Sequence, residues 1–544
     1  MPHRDIFIGI GGTGVKTAES LVHLCAAGLG PKNLSIGLID QDRANGNTNR
    51  SIQTIASYQA VRSQLFRQGG AHLVDGTGVD LLRTEFTPIS VALRDGAVAD
   101  FQNCLWVPNT RQQTTLSDIF AYERMTSQPD MKAFVGVLYR DERDGDGVEL
   151  HMKLDEGYRG RPAIGASAML AASEEGDFWR EIDQAIAEAA NGTVRFFLAG
   201  SVFGGTGAAG FPTVARRIRD AVRKQKLNPE SVAISGTLML PYFGFSSPKT
   251  GQSTNVAYTE ELVQQTQVAL EYYHRLIDEA QNSGHRLFDD LYVVGWSPFV
   301  TLDYHAAGKG DQLNPPLLPE MLAAAAALRF FATNEKPDRQ RKTRVLSSAR
   351  KAETAFEWSD VPPIDPEARN PLQPAFKLAQ YLRFLYAWHY EFRPDIERQR
   401  KAVLGRDAWF KNHFNANDFK GETPLTQSIT AIDNWVETSL RWAAALAFWS
   451  SRNCAFKPWG HGVLTNAENP VPNQLFPVRS PAEKQKNGFD ALVSAVEGEM
   501  TTFADLYNRM SDKREAVGGS KGLGAFLSAL YSLSATTGGD VGSP

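Results

Sequence analysis

The sequence has little of several features that define other classes of protein. Its 544 residues include three cysteines, Cys25, Cys104 and Cys454, and none of them lies in a Cys-x-x-Cys pair. Three cysteines cannot build a disulfide framework, so we expect a reduced, cytoplasmic protein. The 57 basic and 61 acidic residues nearly cancel, giving a net charge of −4. This balance excludes the broad basic surface of most nucleic-acid-binding proteins, and we expect no nucleic-acid partner.

Long apolar runs are also missing. The longest, at about 321–328, is far below the roughly 18 residues that a membrane-spanning helix needs. The opening sequence MPHRDIFIGI has one short apolar run that leads into glycines, which predicts a first strand rather than a secretion signal. Hydrophobic residues make up 42% and charged residues 22%, as in ordinary globular chains. We therefore expect a soluble protein that does not contact the membrane.

Strand and helix patterns alternate along the first part of the chain. This alternation predicts an α/β fold with a doubly wound parallel sheet that helices cover on both faces. The expected strands are 4–10, 34–39, 193–198, 231–240 and 290–295, and the expected helices follow the first strand, then cover 163–190, 255–280 and 316–332. A polar stretch with strand-like runs such as Ala133–Tyr139 interrupts the pattern, so we interpret 51–155 as an insertion.

The pattern changes after residue 334. The segment 335–351 is rich in basic residues, which predicts a solvated linker or helix face, and 370–450 has a helical pattern rich in aromatic residues. We therefore divide the chain into a nucleotide-binding domain, a central helix, a mostly helical C-terminal domain and a flexible tail. These regions are 1–312, 313–334, 335–535 and 536–544, respectively.

The first glycine loop, Gly9–Gly14, fits the pattern GxGxxG between a strand and a helix. Glycines let backbone amides approach a phosphate closely, and the following helix N-terminus attracts anions. A dinucleotide site requires an acidic residue at the end of the next strand, and Asp40 partly meets this requirement. Val15 interrupts the Gly-Lys-Ser/Thr of a P-loop. A dinucleotide-dependent oxidoreductase and a tight turn without ligand both remain open for this loop alone.

A second glycine loop, Gly204-Gly205-Thr206-Gly207, also follows an apolar strand and opens a helix. One bound dinucleotide needs only one such loop. Two loops at the same edge of a parallel sheet could hold one triphosphate from two sides. The second loop therefore favours a nucleotide triphosphate over a dinucleotide.

These motifs resemble those of the tubulin and FtsZ superfamily. Gly204–Gly207 is similar to the core of the GGGTGSG signature, with Phe203 and Ala209 replacing its outer glycines. The first loop is similar to the first nucleotide loop of FtsZ, and Asp40-Gln41-Asp42 stands where FtsZ has Asn-Thr-Asp. The segment 160–165 resembles the loop that senses the γ-phosphate. In this order, over about residues 4–332, the motifs most resemble those of the divergent bacterial tubulin-like proteins.

The resemblance implies a protein that binds GTP or GDP with Mg²⁺ and assembles head to tail into filaments. Arg161 would contact phosphate, and Asn314, before the central helix, would contact the base; a helix-capping role is the alternative for Asn314. The implied nucleotide-binding residues are Gly11, Gly12, Thr13, Gly14, Asp40, Asp42, Arg161, Gly165, Gly204, Gly205, Thr206, Gly207 and Asn314.

The resemblance also places catalysis between subunits. Glu357 and Asp360 have the spacing of the two acids in the FtsZ catalytic loop, whose asparagine is replaced here by Ala355. Because this loop comes after the central helix, we expect it at the far end of the domain, where it reaches a neighbour's nucleotide and not its own. A surface acid pair is the alternative. The helical C-terminal region departs from the family and could bind unidentified proteins. Two alternative functions therefore remain: an interaction protein that binds a nucleotide without turnover, and the oxidoreductase.

Overall fold

The structure is a computed structural model that describes most of the chain. The described residues are 3–67, 80–89, 101–108, 114–139, 149–154, 157–158, 161–172, 176–245, 259–302, 313–333, 342–350, 356–402, 405–415, 424–454, 456, 503–513 and 521–535. The predicted flexible tail and Ala355 lie outside these ranges.

The described strands form one large sheet and one small one. The large sheet contains β1 (His3–Ile10), β2 (Asn33–Ile39), β3 (Glu85–Pro88), β4 (Leu105–Trp106), β5 (Thr193–Ser201), β6 (Val232–Met239), β8 (Asp290–Trp296) and β10 (Arg344–Arg350). Its order is β10-β8-β6-β5-β1-β2-β3, with β4 also paired to β2, and its pairs are parallel. The strands β7 (Phe243–Phe245) and β9 (Val300–Leu302) form the small sheet.

The described helices precede, separate and follow these strands. They are α1 (Gly11–Ala26), α2 (Gly46–Arg67), α3 (Leu116–Ile119), α4 (Pro129–Leu138), α5 (Pro162–Ala171), α6 (Asp177–Glu188), α7 (Gly205–Lys224), α8 (Thr259–Asn282), α9 (Leu318–Ala332), α10 (Gln373–Ala387), α11 (Arg393–Lys401), α12 (Ala408–His413), α13 (Pro424–Cys454), α14 (Phe503–Ser511) and α15 (Leu523–Leu533). Within the described ranges, no helix is both long enough and apolar enough to cross a membrane.

The strand order confirms the predicted doubly wound parallel sheet. From β1 the chain crosses through α1 to β2 on one side, whereas from β5 it crosses through α7 to β6 on the other. Right-handed crossovers in opposite directions place α1 and α7 on opposite faces of the sheet. Strands covered on both faces must be apolar throughout, and every residue of β6 is buried. The order reverses between β1 and β5, so the switch point of the sheet lies between these two strands.

Two predictions within the first 200 residues are wrong in detail. The strand-like run Ala133–Tyr139 belongs mostly to α4, because Pro129 begins a helix in which only Val135 is buried. The single helix expected at 163–190 is two helices, α5 and α6, and Gly176 is the N-cap residue of the second. The region 51–155 also contains most of α2, a long regular helix that the polar sequence concealed.

The basic segment 335–351 is not the linker or helix face that we expected. Its described part contains the edge strand β10, which pairs in parallel with β8 from Arg344 to Arg350. Arg344 forms an ion pair with Asp290 on β8 at 2.9 Å, so the charge has a partner on the neighbouring strand. The large sheet therefore continues past residue 334, where we expected the helical region to begin. The remaining domain boundaries stay predictions.

The C-terminal region is helical, as predicted, and packs on the face of the sheet that carries α1 and α2. The His23 ring of α1 stacks between Trp435 and Trp442 of α13, with ring centroids 5.2 and 4.6 Å away. The Tyr58 ring of α2 meets Trp435 edge-on at 5.3 Å, and the Tyr531 hydroxyl of α15 donates to the Ala27 carbonyl at 3.0 Å. Buried apolar residues of both regions form one continuous core.

Candidate functional site

Two helices begin side by side at the switch point of the sheet. Helix α1 begins at Gly11 after β1, and α7 begins at Gly205 after β5. Neither N-cap residue, Ile10 or Gly204, provides a side-chain cap, and neither first turn contains an acid. The first four N–H groups of an α-helix have no partner within the helix, and the helix dipole makes this end positive. The structure therefore places the positive ends of two helices next to each other.

The two glycine loops touch each other through their backbones. Gly11 has a φ of +69°, and a Cβ on it would lie 2.6 Å from the Gly207 nitrogen. Glycine is therefore required at position 11 both for its conformation and for this approach. Gly12 differs, because a Cβ there would meet nothing within 4 Å. The structure thus brings the two predicted loops together and leaves open space beside Gly12.

Other predicted glycines serve the packing around the loops. A Cβ on Gly14 would overlap the Ala199 carbonyl oxygen of β5, and a Cβ on Gly205 would lie 2.7 Å from the Tyr158 Cβ. A Cβ on Gly165, inside α5, would lie 2.8 Å from the Gly205 carbonyl oxygen. These three glycines let α1, α7 and α5 approach their neighbours closely. Gly165 therefore joins the third predicted loop to the second through packing.

Two buried carboxylates lie next to the loops. Asp40 and Asp42 follow β2, and their residues are 4% and 5% exposed. Asp40 accepts a hydrogen bond from the Thr48 hydroxyl at 3.1 Å and interacts with the Thr206 hydroxyl of the second loop. Burial, together with the nearby charge of Asp42, raises the pKa of Asp40 to about 7. Oxygen ligands of this kind suit a hard divalent cation, which would relieve the repulsion between the carboxylates.

Tyr158 is a site residue that the sequence analysis missed. Its hydroxyl donates to the Gln41 side-chain oxygen at 3.1 Å, while its Cβ and ring lie against Gly205 and Gly165. Tyr158 therefore holds together three separate predicted segments. No spacing rule marks this tyrosine, since its partners are distant in sequence.

A buried ion pair connects helix α1 to the central helix, α9. The Lys16 Nζ, on α1, pairs with the Glu320 carboxylate in the first turn of α9, and both side chains are almost fully buried. The Tyr242 hydroxyl and the Leu317 N–H also donate to Glu320, at 2.5 and 2.9 Å. Burial lowers the pKa of Lys16, and the Glu320 charge opposes this shift. The Lys16 ammonium is thus paired with Glu320. Glu320 is the only acid in the apolar helix α9, and this could have indicated in the sequence that it needs a buried cation.

Asn314 lies before the central helix and does not cap it. The helix begins at Leu318 with Leu317 as its N-cap residue, so the capping alternative is wrong. The Asn314 N–H donates to the Asn47 side chain at 2.8 Å, and its carbonyl accepts from Arg50 at 2.8 Å. These bonds fix Asn314 against α2. Its contact with a base stays a prediction.

Arg161 stands at the N-cap position of α5. Its guanidinium forms an ion pair with Glu149 at 2.9 Å and is 23% exposed. The structure therefore shows an arginine held by an acid close to the third loop. A contact between Arg161 and phosphate stays a prediction.

The two predicted catalytic acids lie beyond β10. Glu357 is the N-cap residue of a short 3₁₀ turn that ends at Asp360. The Glu357 N–H donates to the Asp360 carboxylate at 2.8 Å, and both residues are exposed. Their loop does not directly follow the central helix, because β10 intervenes and returns the chain toward the carboxyl edge of the sheet. Phe356, just before them, packs on Trp296 at the end of β8. The order of elements therefore no longer supports placing Glu357 and Asp360 at the far end of the domain.

A comparison with known families agrees with this architecture. Residues 149–361 match the family described as "Tubulin like". The match contains the second glycine loop and the strands β5–β10, whereas the first loop precedes it. No curated protein and no solved structure matches the chain. The parallel sheet and paired loops define an α/β protein of the nucleotide-binding type. The family match then confirms the predicted resemblance, and residues 149–361 are similar to tubulin-like proteins.

Proposed function

We propose that this protein binds GTP or GDP, with Mg²⁺, where α1 and α7 begin. The observation that carries the proposal is the backbone contact of Gly11 with Gly207, which brings two uncapped helix N-termini together at the switch point of the sheet. Ligands of open parallel sheets bind at this place, and phosphates bind at helix N-termini. The family match supports the guanine nucleotide as the ligand.

The described residues fit such a ligand. The amides of the first turns of α1 and α7 would bind the phosphates, and the open space beside Gly12 would admit them. Asp40 and Asp42 would hold Mg²⁺, because buried carboxylates are good ligands for a hard cation. When bound, Mg²⁺ neutralises phosphate charge. Asn314 remains our candidate for the base contact and Arg161 for the γ-phosphate.

We further propose that the protein assembles head to tail and hydrolyses GTP between subunits. Glu357 and Asp360 are exposed and could face the nucleotide of a second copy. There the carboxylates would orient a water whose oxygen attacks the γ-phosphorus while the bond to the β-phosphate oxygen breaks. A heterologous contact that does not close into a ring makes a filament.

The proposal also names the setting of the protein. Cys25, Cys104 and Cys454 are buried thiols outside any disulfide, which suits a reducing cytoplasm. We expect neither a membrane nor a nucleic acid as partner, and the helical C-terminal region could bind further proteins. The described capping turn of Glu357 and Asp360 gives these acids a structural role, which favours nucleotide binding without turnover as the second candidate.

One set of measurements tests the proposal. Purified full chain is incubated with Mg²⁺ and GTP, GDP, ATP or a slowly hydrolysed GTP analogue, and binding, pelleting and phosphate release are followed. We expect GTP to bind at least about tenfold more tightly than ATP, or about 1.4 kcal/mol. Pelleting should require GTP or its analogue, and phosphate release should rise with assembly. Equal affinity for ATP refutes the guanine preference; binding without pelleting or phosphate release supports the second candidate.

A further inference from the structure

The segment just before the central helix is held through its backbone. The Asn314 N–H donates to the Asn47 side chain, and the Asn314 carbonyl accepts from the Arg50 guanidinium, both at 2.8 Å. Asn47 and Arg50 lie on one side of α2, because positions i and i+3 of a helix are neighbours. Both backbone groups of Asn314 are therefore bound by one helix, although Asn314 itself lies outside any helix or strand.

Arg50 is in turn held by α1. Its Nε and Nη2 donate to the Glu19 carboxylate at distances between 2.8 and 3.0 Å, and its Nη1 is the donor to the Asn314 carbonyl. The rigid planar guanidinium allows one side chain to make these contacts at the same time. Glu19 is 3% exposed, so the pair is fixed inside the protein. The position of Asn314 is therefore tied to α1, where the first glycine loop leads into the helix.

A second ion pair ties the same segment to α1. Lys16 precedes Glu19 by one turn on α1 and pairs with Glu320 in the first turn of α9. One side of α1 thus carries both charged groups. The segment 314–320 is attached to α1 at both of its ends, once through Arg50 and once through Lys16.

The Asn314 side chain differs from its backbone. Among the described residues, its carboxamide has no hydrogen-bond partner, although Asn314 is only 8% exposed. Buried polar groups normally form hydrogen bonds, so this carboxamide has donors and an acceptor that a ligand can satisfy. The proposed site is close, since Thr48, next to Asn47, donates to the Asp40 carboxylate at 3.1 Å. The unpaired carboxamide therefore lies near the proposed nucleotide-binding residues.

We propose that Arg50 is a positioning residue for recognition of the nucleotide base by Asn314. This inference rests on the proposed GTP site and adds to it the part that sets the distance between base and phosphates. A carboxamide presents a donor and an acceptor side by side, which suits the polar edge of a purine base. One nucleotide reaches both the carboxamide and the helix N-termini when the distance between them is fixed. Arg50, held by Glu19, fixes this distance without touching the nucleotide.

Arg50→Lys tests the guanidinium while keeping the charge that pairs with Glu19. An ammonium is a point charge and cannot reproduce the guanidinium contacts with both Glu19 and Asn314. We expect the dissociation constant of GTP with Mg²⁺ to rise about tenfold, the loss of about one hydrogen bond. The dissociation constant of inorganic tripolyphosphate, which has no base, should stay unchanged. Arg62→Lys is the matched control on α2, since Arg62 pairs with Glu85 of β3 at 3.2 Å, and should leave both constants unchanged.

Two further variants show whether Arg50 acts through Asn314. Asn47→Ala removes the other bond to the Asn314 backbone without changing a charge, and should weaken GTP but not tripolyphosphate binding. Asn314→Ala should also weaken GTP binding about tenfold, and adding Arg50→Lys to it should cause no further loss, because no carboxamide remains to be positioned.

Three results would each overturn the proposal: unchanged GTP binding in Arg50→Lys, an equal loss of tripolyphosphate binding, or additive losses in the double variant. In all three the wild type still binds GTP, so the proposed GTP site stands. A wild type that binds neither GTP nor tripolyphosphate refutes the proposed site itself, and the role of Arg50 with it.

Discussion

Replacing Gly12 by aspartate should separate folding from nucleotide binding. Gly12 is the second residue of α1, does not have a positive φ, and a Cβ there meets nothing within 4 Å. A carboxylate at a helix N-terminus stabilises the helix by about 0.3–1 kcal/mol, so the unliganded protein should unfold at a slightly higher temperature. A phosphate about 5 Å from this carboxylate is repelled by about 3 kcal/mol at an effective dielectric constant of about 20. Binding of GTP should therefore weaken by roughly a hundredfold or more.

The assay is a titration with GTP and Mg²⁺ beside a thermal unfolding curve without nucleotide. Gly12→Ala controls for the added Cβ and should bind nearly as well as the wild type. Gly176→Asp places the same charge at the N-cap of α6, where there is also open space, and should leave GTP affinity unchanged. Gly205 is unsuitable because a side chain there would overlap Tyr158. Unchanged GTP affinity in Gly12→Asp would refute the placement of the phosphates at α1.

Three further changes test the site and its support. Glu357→Ala with Asp360→Ala should keep GTP binding and lose phosphate release, with longer-lived polymers; full turnover would show that these acids are a surface pair. Lys16→Met should lower the free energy of chemical unfolding by about 3–5 kcal/mol, because it leaves the Glu320 carboxylate buried without its cation. The double variant Lys16→Met with Glu320→Gln should regain most of this free energy. A decrease below about 1 kcal/mol in Lys16→Met would contradict the pairing. Burial lowers the pKa of His23 to about 3, so the unfolded chain takes up the proton first as the pH falls. The unfolding free energy should therefore decrease by about 1.4 kcal/mol per pH unit below pH 6.5 because of His23, and the His23→Phe protein should lack this contribution. Equal pH dependence of the unfolding free energy in the two proteins would refute the assignment to His23.

The sequence predicted the sheet because its strands are local apolar runs. It missed β10, since a strand with Arg344 at its start has the appearance of a solvated segment. The acid that pairs with this arginine, Asp290, is on β8 and 54 residues away. A partner at that separation is visible only after the sheet has formed. The division of 163–190 into two helices was missed for a smaller reason, since Gly176 alone marks the second start.

The candidate site was predicted as motifs, and the structure supplied the contacts between them. Glycine patterns located both loops because close backbone approach leaves a compositional signature. Tyr158 and Glu320 left no such signature, since their roles come from tertiary packing. The position of Glu357 and Asp360 was inferred from the order of elements in a family, and the structure places one additional strand, β10, between the central helix and these acids.

The surroundings of α1 and α7 differ in a way that bears on how the site could move. All residues of α1 except Gly12 are buried, and His23 is held between two tryptophan rings of the C-terminal region. Helix α7 instead has an open groove of about 1080 Å³ along it, with α5 and α6 as one wall, α8 as the other, and Arg216 exposed. Densely packed interiors resist displacement. We therefore expect α1 to be the fixed side of the site, and exchange or loss of a bound anion to shift α7 into the free space beside it.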